Sequence, residues 1–221
     1  MTWITRLAPI GLLFTAACND VEAPDGCHYH GDELHCDDDN HGLATTVILN
    51  FTPRGGGDTL SFTWNDPEND GDPVVDDILL PDGSDHDHHD TQEYTVDIEI
   101  WNELEDPADD VTIDILDQDH FHQVFFTGSA VRGPATGQNP DAIVRQQYAD
   151  EDENGLPVGL SNTFTTLAWG SGEMTVTLRH MPEENGESIK TDGLADEVAD
   201  EGFGAIGGSN DIEVTFNIEV E

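Results

Sequence analysis

Apolar and polar residues alternate with a period of two in five stretches of the chain. Val47, Leu49 and Phe51 form the first set, and Leu60, Phe62 and Trp64 the second. Val96, Ile98 and Ile100 follow, then Met174, Val176 and Leu178. The clearest run comes last: Ile212, Val214, Phe216, Ile218 and Val220 interleave with Glu213, Thr215, Asn217, Glu219 and Glu221. Successive side chains of a strand point to opposite faces, so each run predicts a strand with one buried face and one wet face. That pattern belongs to antiparallel sheets. Arg54-Gly-Gly-Gly-Asp58 supplies the glycines of a hairpin turn between the first two runs.

Three more segments, 111–126, 142–148 and 158–167, are rich in apolar residues without clean alternation. The Thr-rich stretch Asn162 to Leu167 suits a strand. Pro107 followed by Ala-Asp-Asp-Val111 opens either a strand or a short helix, whose N-terminal dipole would favour the two aspartates. Gly, Pro, Asn and Asp separate the runs, and no long helical period appears. The pattern predicts an all-β domain over residues 44–221, an antiparallel β-sandwich of six to nine strands, immunoglobulin-like in architecture. The Trp and Cys framework of a true immunoglobulin domain is absent, so only the architecture is implied.

The first 17 residues carry one charge, Arg6, and an apolar run from Leu7 to Ala17. Such a run is far shorter than the roughly 20 residues a membrane-spanning helix needs, and it reads as a cleaved export signal. Thr15-Ala16-Ala17-Cys18 resembles the lipobox of bacterial lipoproteins, in which the cysteine is acylated, although Thr15 stands where leucine is usual. A plain secretory signal is the alternative. Residues 18–43 are rich in Asp, His and Gly, and predict a disordered tether from lipid to domain. The expected location is the bacterial cell envelope, with the lipid in the outer membrane.

Three cysteines in an exported chain leave one odd, and acylation of Cys18 pairs off Cys27 with Cys36. Outside the cytoplasm that pair would normally oxidise, closing a ten-residue loop that the bridge stabilises by about 2.5 to 3 kcal/mol. The same loop holds His28, His30 and His35, so a metal site built from thiols and imidazoles competes with the disulfide.

Charge changes the picture further. There are 48 acidic residues against six basic ones, for a formal net charge of −42. Nucleic acid and anionic membrane surfaces would repel such a chain. The charge opposes compaction unless counter-ions neutralise it, which points to bound divalent cations, a salty habitat or both, or else to a heavily solvated surface.

Four stretches taken in order, His122-Gln-Val-Phe-Phe126, Tyr148 to Leu160, Thr175-Val-Thr-Leu-Arg-His-Met-Pro182 and Asp211-Ile-Glu-Val-Thr-Phe-Asn217, resemble a group of small bacterial lipoproteins frequent in Bacteroidota. Some of that group carry the label "type 1 periplasmic binding fold superfamily". The resemblance spans residues 44 to 221 and implies an envelope lipoprotein without implying an activity. The label would imply an α/β fold, against the strand alternation above. The histidine-rich tether and the Asp85 to Asp90 insert depart from the group's pattern.

Candidate ligands fall into two chemical classes. Asp150, Asp152 and Asn154 place oxygens at alternate positions before Gly155, as the first half of a calcium loop does, but Ser161 occupies the position where an EF-hand needs glutamate. Asp66, Glu68, Asp70 and Asp72 form a second candidate calcium loop. Nitrogen donors cluster at His86, His88 and His89, and at His120 and His122, which would share one face of a strand and a zinc or copper ion. His180 lies in register with Met174, Val176 and Leu178 and reads as a packing residue at the edge of an apolar face.

No nucleophile elbow, His-Glu-x-x-His helix or phosphate loop is present, so no enzyme is expected. The reading is a lipid-anchored envelope module, binding or structural, that holds divalent cations. A periplasmic solute-binding or chaperone-like module is the alternative and would need a concave apolar pocket. A metallohydrolase would need at least three histidines on one ion with an open coordination position.

Overall fold

The computed structural model describes residues 44–81, 91–183 and 188–221, together with the backbone of 27–30 and 33–36. In chain order the strands are β1 (Cys27–His30), β2 (Glu33–Cys36), β3 (Thr46–Pro53), β4 (Leu60–Asn65), β5 (Val74–Val75), β6 (Ile78–Leu80), β7 (Glu93–Asn102) and β8 (Asp109–Asp110). Helix α1 (Val111–Asp117) and a 3-10 turn (Asp119–Phe121) lead into β9 (His122–Thr127), β10 (Val131–Arg132), β11 (Val144–Tyr148), β12 (Ser161–Thr166) and β13 (Gly170–His180). Helix α2 (Leu194–Glu201), a second 3-10 turn (Phe203–Ala205) and β14 (Ser209–Val220) complete the chain.

Two units are distinct, Met1–Asn40 and His41–Glu221. In the first, β1 and β2 pair antiparallel, so part of the stretch expected to be a disordered tether forms a hairpin. Its sequence has the local signals for one: two four-residue runs flank Gly31-Asp32, a step with turn chemistry.

The second unit is all-β and sandwich-like, with two sheets. The larger runs β10-β11-β12-β7-β3-β4-β5, with β8 also on β7, and the smaller runs β6-β14-β13-β9. Pairing is antiparallel except for β10 with β11 and β6 with β14. Inner-face residues of both sheets share one core: Leu49, Phe51 and Phe164 from the large sheet meet Phe126, Met174 and Phe216 from the small one. Phe126 contacts Phe164 edge to face across the sandwich, with ring centroids 5.2 Å apart. Burying each such side chain contributes about 1.5 to 3 kcal/mol, so this shared core is what holds the two sheets together.

Twelve strands are described in this unit, more than the six to nine expected. The surplus is β5, β6, β8 and β10, which are two or three residues long and leave no periodicity to read. The ambiguous stretch after Pro107 becomes β8 followed at once by α1. Asp110 accepts the Thr112 N–H at 3.1 Å as the N-cap, which favours helix over a continued strand. Thr112 Oγ1 accepts the Ile100 N–H at 2.8 Å, seating the helix on β7.

Strand β9 does not alternate because both of its faces are covered. Val124 and Phe126 enter the shared core, whereas Phe125 enters a second cluster with Met181, Leu194, Val198 and Ile206. That cluster exists because α2 presents Leu194, Ala195 and Val198 on one face. Among the described residues no helix is long and apolar enough to cross a membrane.

Candidate metal centre

At one end of the small sheet, β9 begins with His122 and β13 ends with His180, and the antiparallel register sets the two opposite each other. Directly opposed residues share a face, with Cβ atoms about 4.5 to 5.5 Å apart. The imidazoles stack, with centroids 4.8 Å apart and planes 13° apart. His122 continues the Val124 and Phe126 face and His180 the Met174, Val176 and Leu178 face, so the pair closes one end of the core.

The third member comes from β14, on the other side of β13. Leu178 pairs with Ile212 but Arg179 pairs with Asn210, so Asp211 is an extra residue in a β-bulge. Regular alternation would send Asp211 away from the face that Ile212 occupies. A bulge re-aims the side chain, and Asp211 Oδ2 lies 3.8 Å from His122 Nε2. One ligand atom each of His122, His180 and Asp211 then falls within 4.8 Å of the others. His122 is fully buried and His180 is 8% exposed, while the Asp211 side chain keeps 23% of its surface in water. The site is thus walled by protein and open on the aspartate side.

Local structure orients these groups. His122 Nδ1 lies 2.9 Å from the Gln118 carbonyl at the end of α1. A carbonyl only accepts, so Nδ1 carries the hydrogen and Nε2 is the ring nitrogen on the Asp211 side. Phe121 stands edge-on to His180 at 6.5 Å and forms part of the apolar wall.

Arg179 leaves β13 on the opposite face and pins the approach to the bulge. Its guanidinium donates to the carbonyls of Ile206, Gly207 and Gly208 and to Asn210 Oδ1, at 2.7 to 3.1 Å. Gly208 has φ +83°, and a Cβ there would sit 2.1 Å from the His180 carbonyl oxygen. Glycine is therefore required where the loop crosses the end of β13.

Of the residues expected to bind transition metals, only His122 joins the centre. His120 does not share its face, because 119–121 form a 3-10 turn rather than strand. The His120 side chain is partly exposed and lies 3.8 Å from the Asp119 carboxylate. His86, His88 and His89, and Cys18 with the export signal, lie outside the described residues. His28, His30 and His35 belong to the hairpin with Cys27 and Cys36, whose register pairs Cys27 with Cys36 and His28 with His35.

In the acidic loops expected to hold calcium, carboxylates accept hydrogen bonds from their own loops. Asp150 accepts the N–H groups of Gly159 and Ser161 at 2.7 and 2.9 Å. Asp152 accepts those of Asn154 and Leu156 through Oδ1 and the Lys190 ammonium through Oδ2. Asn154 thus serves the turn through its backbone. Asp66 takes the N–H groups of Asp70 and Gly71, and Asp70 that of Asp72, while Glu68 is exposed. The carboxylates at 66, 150 and 152 close their own loops. Among the described residues, the one group of three potential ligands is His122, His180 and Asp211.

No protein-family model, curated protein or solved structure matches the chain. Two of the three members escaped the sequence reading. His180 was read as packing, and Asp211 is one of 48 acidic residues. The usable signal was a histidine at the end of each of two apolar runs, but pairing those runs requires the register. A groove of about 320 Å³ on the small sheet is lined by Asp77, Glu173 and Glu219 among others.

Proposed function

We propose that the chain is an envelope-anchored binding module that holds a divalent transition-metal ion at His122, His180 and Asp211. The observation that carries this reading is the convergence of three ligand atoms within 4.8 Å. Two imidazoles and one carboxylate form a borderline donor set suited to zinc or copper(II), whereas calcium favours an all-oxygen shell. Three protein ligands leave a coordination position for water or an exogenous group, and the exposed side of Asp211 is where it would lie. The net charge of −42 raises the local concentration of cations around the molecule. Export by residues 1–17 and acylation at Cys18 in the outer membrane stay part of the proposal on the sequence reading alone, as does a non-enzymatic role.

The test is a thermal melt of the metal-free protein in zinc, copper(II) or calcium at fixed ionic strength. Zinc is expected to raise the melting temperature, with reversal by chelator and no comparable rise in calcium. Zinc at 100 times its dissociation constant would stabilise the fold by about 2.7 kcal/mol. Asp211→Asn, at a partly exposed position, is expected to leave metal-free stability within about 0.5 kcal/mol and to lose most of the zinc response. A melt that zinc leaves unmoved, or an undiminished response in both Asp211→Asn and His180→Asn, overturns the assignment.

A further inference from the structure

We propose that the groove on the outer face of the small sheet docks an extended, basic peptide segment of a partner protein, added as a strand beside β6. The groove, about 320 Å³, is lined by Asp77 and Leu79 at the β6 edge, Asn217 and Glu219 on β14, and Ser171 and Glu173 on β13. Register sets Leu79, Glu219 and Ser171 in one row across the sheet. Glu173 lies opposite Asn217, which donates to Asp77 Oδ1 at 2.9 Å, and these three make the next row. All six residues are exposed.

The backbone of β6 supplies the second half of the site. Among the described residues β6 ends the small sheet, with β14 on its inner side. The Leu80 carbonyl accepts the Glu221 N–H at 3.1 Å, so the peptide groups of Leu80 and, two residues back, of Ile78 face β14. Those of Leu79 therefore face the open edge. An incoming strand can take both its N–H and its C=O, which is how sheet edges capture extended peptides.

The side chains select the occupant. Leu79 is 45% exposed and stands beside three carboxylates, with no basic residue in the lining. Arg and Lys lay a carbon stem along an apolar surface and carry a charge at its end, so alternate basic residues of a strand beside β6 would cross Leu79 toward Asp77 and Glu219. A second copy of this chain, with its net charge of −42, is repelled. A single metal ion does not match either, because among the described residues only His122, His180 and Asp211 bring three ligand atoms together. His180 lies at the far end of β13 and on its opposite face, so this site does not rest on the metal assignment.

The experiment titrates the full chain into a fluorescently labelled peptide of alternating arginine and valine, read by anisotropy at about 0.15 M salt, where distant charges are screened. Glu173→Gln with Glu219→Gln is expected to weaken binding by about tenfold or more. Glu197→Gln with Glu201→Gln removes as much charge from exposed positions of α2 and should leave binding within about twofold. Amide hydrogen exchange at Leu79 should slow when the peptide is saturating. Equal losses in the two double variants, an unchanged Leu79 amide, or no binding of the peptide overturns the proposal.

Discussion

Lys190, the only lysine in the chain, donates from Nζ to Asp152 Oδ2 at 2.9 Å, with both side chains closed off from solvent. The same ammonium donates to the Asp119 carbonyl at 2.8 Å. It therefore ties the 150–157 turn and the segment before α2 to the 3-10 turn that precedes His122. A buried charge left without its partner costs about 3 to 5 kcal/mol, more than an apolar pair of similar size would. Asp152→Ala should lower the unfolding free energy by about that amount in urea titrations, and Asp152→Leu combined with Lys190→Met should recover most of it. A loss below about 1 kcal/mol in the single variant would show that the turn is held by other contacts.

The same pair sets an acid limit. Burial pushes the Asp152 carboxyl up, but the Lys190 ammonium and the N–H groups of Leu156 and Asn154 outweigh it and hold the carboxyl below its ordinary 3.8. The folded protein then binds fewer protons than the unfolded chain around that pH. The contribution is fully present above the unfolded value and is lost as pH falls through the depressed folded value. Urea titrations from about pH 5 downward should show a decline that begins near pH 4. The Asp152→Ala variant should lack that component, and a parallel decline in parent and variant would assign it to other groups.

Arg179 anchors the loop that leads into the bulge carrying Asp211. Burial pulls its guanidinium below the ordinary arginine value, yet its carbonyl partners accept from the charged form. Arg179→Met should cost at least about 2 kcal/mol, since hydrogen bonds to charged groups contribute about 1.5 to 3 kcal/mol. Zinc affinity should fall as well, because the bulge loses its anchor. Arg179→Lys should recover little, as a single ammonium cannot cover the carbonyls of 206, 207 and 208 together. Equal zinc affinity in parent and Arg179→Met would separate the loop from the site.

Much of the sandwich was legible because strand alternation is a local property. The run Ile212 to Val220 alternates in sequence, and each apolar member is buried. Any sheet with one wet face imposes that pattern whichever strand lies beside it. Residues 27–36 also had the local features of a hairpin. Strand β9 lacks clean alternation, because α2 covers its outer face and removes the polar positions that would mark the period. The acidic loops were legible as turns, and Asp66, Asp150 and Asp152 each accept backbone N–H groups of their own loops.

Chain order by itself determined the fold class, the apolar face of each long strand and the inventory of donors. Tertiary structure alone decided which donors meet. His122 and His180 become neighbours only when β9 docks on β13, and Asp211 turns toward them only because its register with β13 slips by one residue. Register across a sheet depends on how whole strands pack, so it cannot be read from the spacing of any one of them.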